Sequence, residues 1–244
     1  TRQVQIFSLS AEDSATAFEN GEVDAVLNGH LLSLSLADTG PLSRGTVRLD
    51  VVYGLFGLKV ENEQGLLADA SLREAVAMAI EREDLLAPFG IGVWTPSTLI
   101  IPRNLTAATP ENSERWSGST IEERKSVARR RIAAYRGNSS SEAVLTISLP
   151  RRAGSALLYE ELAEDLADIG ITLERVGPGK KSDLKLVDRL ARYGDPRWFL
   201  NQFSCRLKEG LCVGATDAIV AESLHETDSE ARAKLYSEAE RELL

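Results

Sequence analysis

The only two cysteines of the chain, Cys205 and Cys212, share one short stretch, RYGDPRWFLNQFSCRLKEGLC. A Gly194-Asp195-Pro196 turn signal and a Trp198-Phe199 pair precede them. Thiols this close could ligate a metal, act as a redox pair, close a local disulfide or stay free. Two cysteines do not complete a zinc site without histidine or carboxylate help, and the spacing is not the CxxC of a thioredoxin-type pair. A local disulfide would contribute about 2.5 kcal/mol in the chain-entropy model and requires an oxidising compartment. Spacing alone leaves a disulfide and two free thiols both open. The two histidines, His30 and His225, are far apart and carry no metal-ligand spacing. The sequence has no GxGxxG, GxxxxGK[ST], GxSxG or HExxH motif. Glu122-Glu123 and Glu160-Glu161 read as solvated charge on helix faces. No catalytic residue, metal site or cofactor site is expected.

The elements that must position these residues belong to a globular chain. Its 244 residues suit one large domain or two small ones, and 43% of them are apolar. A net charge of −9 argues against a general phosphate-binding surface, so no nucleic-acid partner is expected. The basic run RKSVARRR (124–131) lacks interleaved aromatics and reads as salt-bridge support on a helix. No apolar run reaches the roughly 18 residues of a membrane-spanning helix. The opening TRQVQIFSLS has no basic-then-apolar order, so no signal peptide is read there.

Hydrophobic periodicity predicts an α/β order of elements. Strands are expected at 4–9 and 23–27 around a short helix at 12–21, a βαβ-like opening. RLDVVYGLFGLKV (48–60) reads as one long strand. A helix is expected over 71–86, with Ser71 and Glu74 at capping-box spacing, Asp69 as an alternative cap, and Leu72, Val76 and Ile80 on its apolar face. PFGIGVWTPSTLIIPRNL (88–105) reads as a loop punctuated by Pro and Gly. A second capping box, Thr120 to Glu123, starts a charged helix over 120–137 closed by Gly137. A strand at 143–150, an amphipathic helix at 154–170 ending at Gly170, and strands at 171–176 and 182–188 follow. The tail, 228–244, reads as a helix still running at the last residue, which suggests that the parent protein continues.

This order resembles the extracytoplasmic solute-binding proteins of ABC importers, family 5, the peptide/nickel class. LLADASLREAVAMAIEREDLL is similar to the family's Ala-rich helix, with Arg73, Ala75, Ala79, Ile80, Arg82 and Glu83 matching and Glu81 for the usual Asp. ATAFENGEVDAVL, TPSTLIIP, YEELAEDLADIGITLERV, GDPRWFLNQFSC and DSEARAKLYSEAERELL resemble further family segments in the family's order. The resemblance implies a periplasmic-binding-protein-like α/β fold (type II), with a mixed sheet flanked by helices. It implies two lobes enclosing a ligand: residues 1–52 would end lobe I and 53–244 form most of lobe II, without the return strand. A cysteine pair brackets this loop in dipeptide-type members, so the resemblance also implies a Cys205–Cys212 disulfide and a periplasmic address.

The function so implied is non-enzymatic: capture of a small solute or peptide and delivery to an inner-membrane ABC permease, by a monomer without cofactors. The alternative is a solute-binding-like sensor domain of a transcription regulator. One departure bears on the ligand. Peptide-binding members place an Asp shortly before the Asp-Pro pair to grip an α-amino group, and Arg192 stands there. Arg189 takes the place of the usual aromatic, Leu58 that of the hinge Asn, and Tyr193 could supply a hydroxyl. The ligand-binding candidates are therefore Arg189, Arg192 and Tyr193, and two guanidinium groups favour an anionic ligand over an amine.

Overall fold

The computed structural model describes residues 3–37, 47–50, 52–85, 87–89, 95–105, 113–139 and 142–244. Four strands form one mixed sheet in the order β1-β4-β2-β3. They are β1 (Gly54–Val60), β2 (Val144–Ser148), β3 (Thr172–Val176) and β4 (Leu184–Leu190). β1 runs antiparallel to β4, whereas β2 is parallel to both β3 and β4. The helices are α1 (Ala11–Glu19), α2 (Ala70–Ala79), α3 (Ile121–Ser139), α4 (Ser155–Ala167), α5 (Pro196–Asn201), α6 (Gly214–Glu222) and α7 (Ser229–Leu243). The expected class, α/β with a mixed sheet flanked by helices, is observed.

Pleating divides the sheet's side chains between its two faces. Phe56, Leu58 and Val60 of β1 join Leu184 and Leu186 of β4 in the larger core, with Ala75 and Val76 of α2, Ile132 of α3 and Leu158, Leu162 and Leu166 of α4. A smaller core gathers Trp198, Phe199 and Leu200 of α5, Val220 of α6 and Tyr236 and Ala239 of α7, with Leu55 and Ala191 packed against it. Glu240, itself buried, accepts the backbone N–H groups of Ile100 and Ile101 at 2.7 Å, which fixes the 99–101 loop to α7. Leu32, in a 3-10 turn over Leu31–Ala37, is fully buried in the larger core, and its carbonyl accepts the Gly154 N–H at 2.7 Å.

Local signals account for most boundaries. Thr120 and Glu123 form the reciprocal capping box: the Thr120 N–H donates to the Glu123 carboxylate and the Glu123 N–H to the Thr120 hydroxyl. Asp195 caps α5 through the Arg197 N–H, with Pro196 in the first turn. Gly170 ends the α4 segment at φ 84°, a conformation a side chain resists. Asp228 caps α7 as the tail pattern requires.

Other expectations are corrected. Residues 4–9 and 23–27 are not strands, so the βαβ-like opening is not formed, although α1 is. Val4 and Ile6 are 83% and 90% exposed; β-branched composition makes no ladder without a partner strand. Of the long strand expected over 48–60, Gly54–Val60 is formed among the described residues, and Val51 lies outside them. α2 is capped by Asp69, not by the Ser71–Glu74 box, and stops at Ala79 instead of reaching 86. Tertiary partners take over its end: the Arg82 guanidinium donates to the Ala77 and Ile80 carbonyls, and the Glu81 N–H donates to Asp165 at 2.8 Å. Glu74 instead binds Arg115 and Arg131. α3 runs past Gly137 to Ser139. Residues 90–94 of the Pro- and Gly-punctuated segment lie outside the described residues.

Three cations of the basic run on α3, Arg124, Lys125 and Arg131, meet acids on or just beyond α2 and α4. Arg131 pairs with Glu74 of α2 and Arg124 lies 3.7 Å from Glu81. Lys125, buried, donates to Asp165 at 2.8 Å and to Asp168 at 2.7 Å. Burial opposes the charge on Lys125, yet these two bonds hold its pKa above the ordinary lysine value.

Candidate functional site: a cation-lined groove on the open sheet face

The register pairs Lys59 with Lys185 and Leu55 with Arg189. Lys59, Lys185, Val187 and Arg189 therefore share the sheet face opposite the larger core. A groove of about 310 Å³ opens on this face. Ser148 to Pro150 after β2, Pro178 and Gly179 after β3, and Gln202 and Glu209 beyond α5 complete its walls. Four cations line it, Lys59, Arg152, Lys185 and Arg189, with the carboxylates Glu61 and Glu209; Asp188, paired with Phe56 in the register, turns its own carboxylate to the opposite face.

Several of these charges are already engaged. Lys185 lies 3.5 Å from Glu61, and Asp188 lies 3.6 Å from the His30 imidazole. Arg189 donates to the Gln202 side chain at 2.9 Å and to Glu209 at 3.3 Å. Lys59 is buried; its ammonium donates to the Gln202 carbonyl at 3.1 Å and faces the Phe203 ring at 5.5 Å. Burial lowers its pKa, against the raising field of Glu209.

Cys205 and Cys212 are joined in a disulfide, with Cα atoms 5.1 Å apart. The bond closes the loop that carries Glu209. Lys208 and Gly210, on either side of Glu209, both adopt positive φ, 54° and 77°. The Leu211 N–H donates to the Val60 carbonyl at 2.8 Å, which ties the loop to β1.

The predicted ligand residues divide. Arg189, near the end of β4, lines the groove. Arg192 and Tyr193 stand in exposed positions on the loop after β4 and fall outside it. That loop is held at Tyr53, whose carbonyl accepts the Ala191 N–H and whose hydroxyl accepts from Asn104. Sequence reasoning missed Lys59, Lys185, Arg152 and Glu209. The usable signal was the alternation in GLFGLKV and LKLVDRL, which sets Lys59 and Lys185 across from the apolar face. Chemically, the groove offers hydrogen-bond donors and positive charge to an anionic group.

No protein-family model matches the chain, and no curated protein does. Solved structures do. OppA of Burkholderia pseudomallei superposes with a TM-score of 0.77 at 18% identity, covering 94% of this chain and 48% of that one. Haemophilus influenzae OppA, in complex with the peptide RPPGFSPFR, gives 0.72 at 17% identity, covering 95% and 48%. The periplasmic murein tripeptide-binding protein MppA, in an unliganded open form, gives 0.69 at 17%, covering 95% and 47%. The chain thus spans about half the length of the solved structures it matches, and over that span it has their periplasmic-binding-protein-like fold.

Proposed function

We propose that the chain is the second-lobe portion of a family-5 solute-binding protein. In this reading residues 1–52 end the first lobe and 53–244 form the second. The whole protein captures a peptide or related solute between its lobes and delivers it to an inner-membrane ABC permease, without catalysis. The observation that carries this reading is the cation-lined groove on the open sheet face of a fold shared with an OppA in complex with a peptide and with a murein tripeptide-binding protein. The disulfide supports a periplasmic address, because such bonds persist in oxidising compartments.

Arg189, Arg192 and Tyr193 are proposed to meet the ligand. With Arg where an amine-gripping Asp would stand, the preferred solute carries a carboxylate or another anionic group. Calorimetry on the two-lobed parent tests this with one anionic and one cationic peptide. Arg192→Asp should weaken the anionic peptide roughly ten-fold, the loss of one charge-assisted hydrogen bond. Equal affinities of wild type and variant for both peptides would refute the role of Arg192. Failure of the parent to bind any peptide would refute the transport reading.

A further inference from the structure

Lys59 and Glu209 are the two least expected members of the groove. A lysine ammonium has three donors. Lys59 is buried at the groove, and its ammonium donates to one backbone carbonyl, that of Gln202. The nearest strand partner on the same face is another cation, Lys185. Burying a lysine without a full set of acceptors is unfavourable, so such a site gains when an anion is present. Glu209 supplies one from outside the sheet. Its carboxylate reaches Arg189, and its charge acts on Lys59.

The backbone of Glu209 is positioned by several constraints. The disulfide closes the loop at both ends, and Asp217 accepts the Cys205 N–H at 3.0 Å. Gly210 lies so close to β1 that an added Cβ would stand 2.1 Å from the Val60 carbonyl oxygen. The Glu209 side chain itself is held less firmly. It is 45% exposed, and its 3.3 Å contact with Arg189 is of the weak, solvent-screened kind.

We infer that Lys59 and Arg189 form a carboxylate-capture site that Glu209 itself fills, so that an incoming carboxylate enters by displacing the Glu209 side chain. The fixed loop backbone keeps Glu209 close enough to return when the ligand leaves. The incoming group offers two oxygens, one for the Arg189 guanidinium and one for the Lys59 ammonium, both of which already reach Gln202, whereas Glu209 makes a single contact. The competition makes binding selective: a neutral group cannot replace the charge that Glu209 gives up. This inference rests on the proposed solute-binding role and names the ligand group that the groove selects.

The test uses this chain and two small probes, acetylglycine and its uncharged amide, titrated by NMR on lysine-labelled protein. Acetylglycine should shift the Lys59 ammonium resonance, and the amide should not. Glu209→Gln removes the competitor and should tighten acetylglycine roughly five-fold, the worth of an exposed ion pair. Lys59→Met in the Glu209→Gln background should abolish that gain. An affinity unchanged or weakened by Glu209→Gln would overturn the competition. A Lys59 resonance that stays in place at saturating acetylglycine would overturn the site, even where Lys59→Met fails to fold. A parent protein that binds no peptide while this chain still binds acetylglycine at Lys59 would leave the site standing and refute only the transport reading.

Discussion

Asp165 on α4 is the point at which three helices are joined by charge. One oxygen accepts the Lys125 ammonium at 2.8 Å, and the other accepts the Glu81 N–H at 2.8 Å, just past the end of α2. Asp165→Ala removes both contacts at once. Removing one partner of a buried pair costs about 3–5 kcal/mol. The low end applies, because Asp168 still holds Lys125 at 2.7 Å and is itself 47% exposed. The Glu81 amide loses its acceptor as well, which adds about 1 kcal/mol or more. The expected loss is therefore roughly 4 kcal/mol, a large part of an ordinary domain's stability. Urea unfolding followed by circular dichroism reads it as a lower midpoint at an unchanged slope. The double variant Asp165→Leu with Lys125→Met should lose less than Asp165→Ala, since the buried ammonium that Asp165 neutralises is removed with it. A loss below about 1 kcal/mol for Asp165→Ala would refute the reasoning, because it lies under any buried-pair magnitude. The pH dependence has a definite sign. The pKa of Lys125 is raised on folding, so its contribution is complete below the unfolded value near 10.5 and fades as pH rises through the higher folded one.

Three further outcomes are expected. Phe199→Ala, at a fully buried position in the smaller core, should cost roughly 3–5 kcal/mol in urea unfolding. Glu74 is pulled below its ordinary carboxyl value because its bonds to Arg131 and Arg115 outweigh its burial. Its contribution is complete above the unfolded pKa near 4.5 and is lost as pH falls through the lower folded value, so Glu74→Gln should flatten the acid limb of stability against pH. Gly210→Ala should destabilise the protein by about 1–2 kcal/mol from its positive φ alone, and by more from the contact with the Val60 carbonyl, read as a lower thermal midpoint.

The legible parts of this fold are those specified by local chemistry. The Thr120–Glu123 box, the Leu158-Leu162-Leu166 stripe and the Gly170 stop each act within a few residues, and each is where the sequence puts it; Gly194-Asp195-Pro196 reads as a turn, and the structure makes its Asp-Pro pair the start of α5. The disulfide was legible only through family resemblance, since spacing could not choose between a bond and two thiols. The errors lie where distant groups decide. α2 has the periodicity to reach 86, but Asp165 and Arg82 take the backbone groups that another turn would need. Residues 4–9 have strand composition and no partner strand among the described residues. Lys59 reads in sequence as an ordinary strand charge; its burial is created by Gln202, Phe203 and the loop around Glu209, more than a hundred positions away. Arg189 was singled out and does line the groove, whereas Arg192 lies just beyond the end of β4, where the pleat no longer dictates which way a side chain faces.

The tie between Leu211 and Val60 has a consequence for self-association. Among the described residues β1 is the outermost strand of its sheet, and an uncovered border strand is a template onto which a second copy can add its own backbone. Here the disulfide-closed loop lies against the Val60 end of that border: the Leu211 amide occupies one outward carbonyl, and Gly210 leaves no gap for another chain. Cutting the Cys205–Cys212 bond would let the loop lift away and turn a protected border into a nucleus for intermolecular strand pairing. The thiol form should therefore aggregate in mild denaturant under conditions where the oxidised form stays monomeric, and it should do so faster at higher protein concentration.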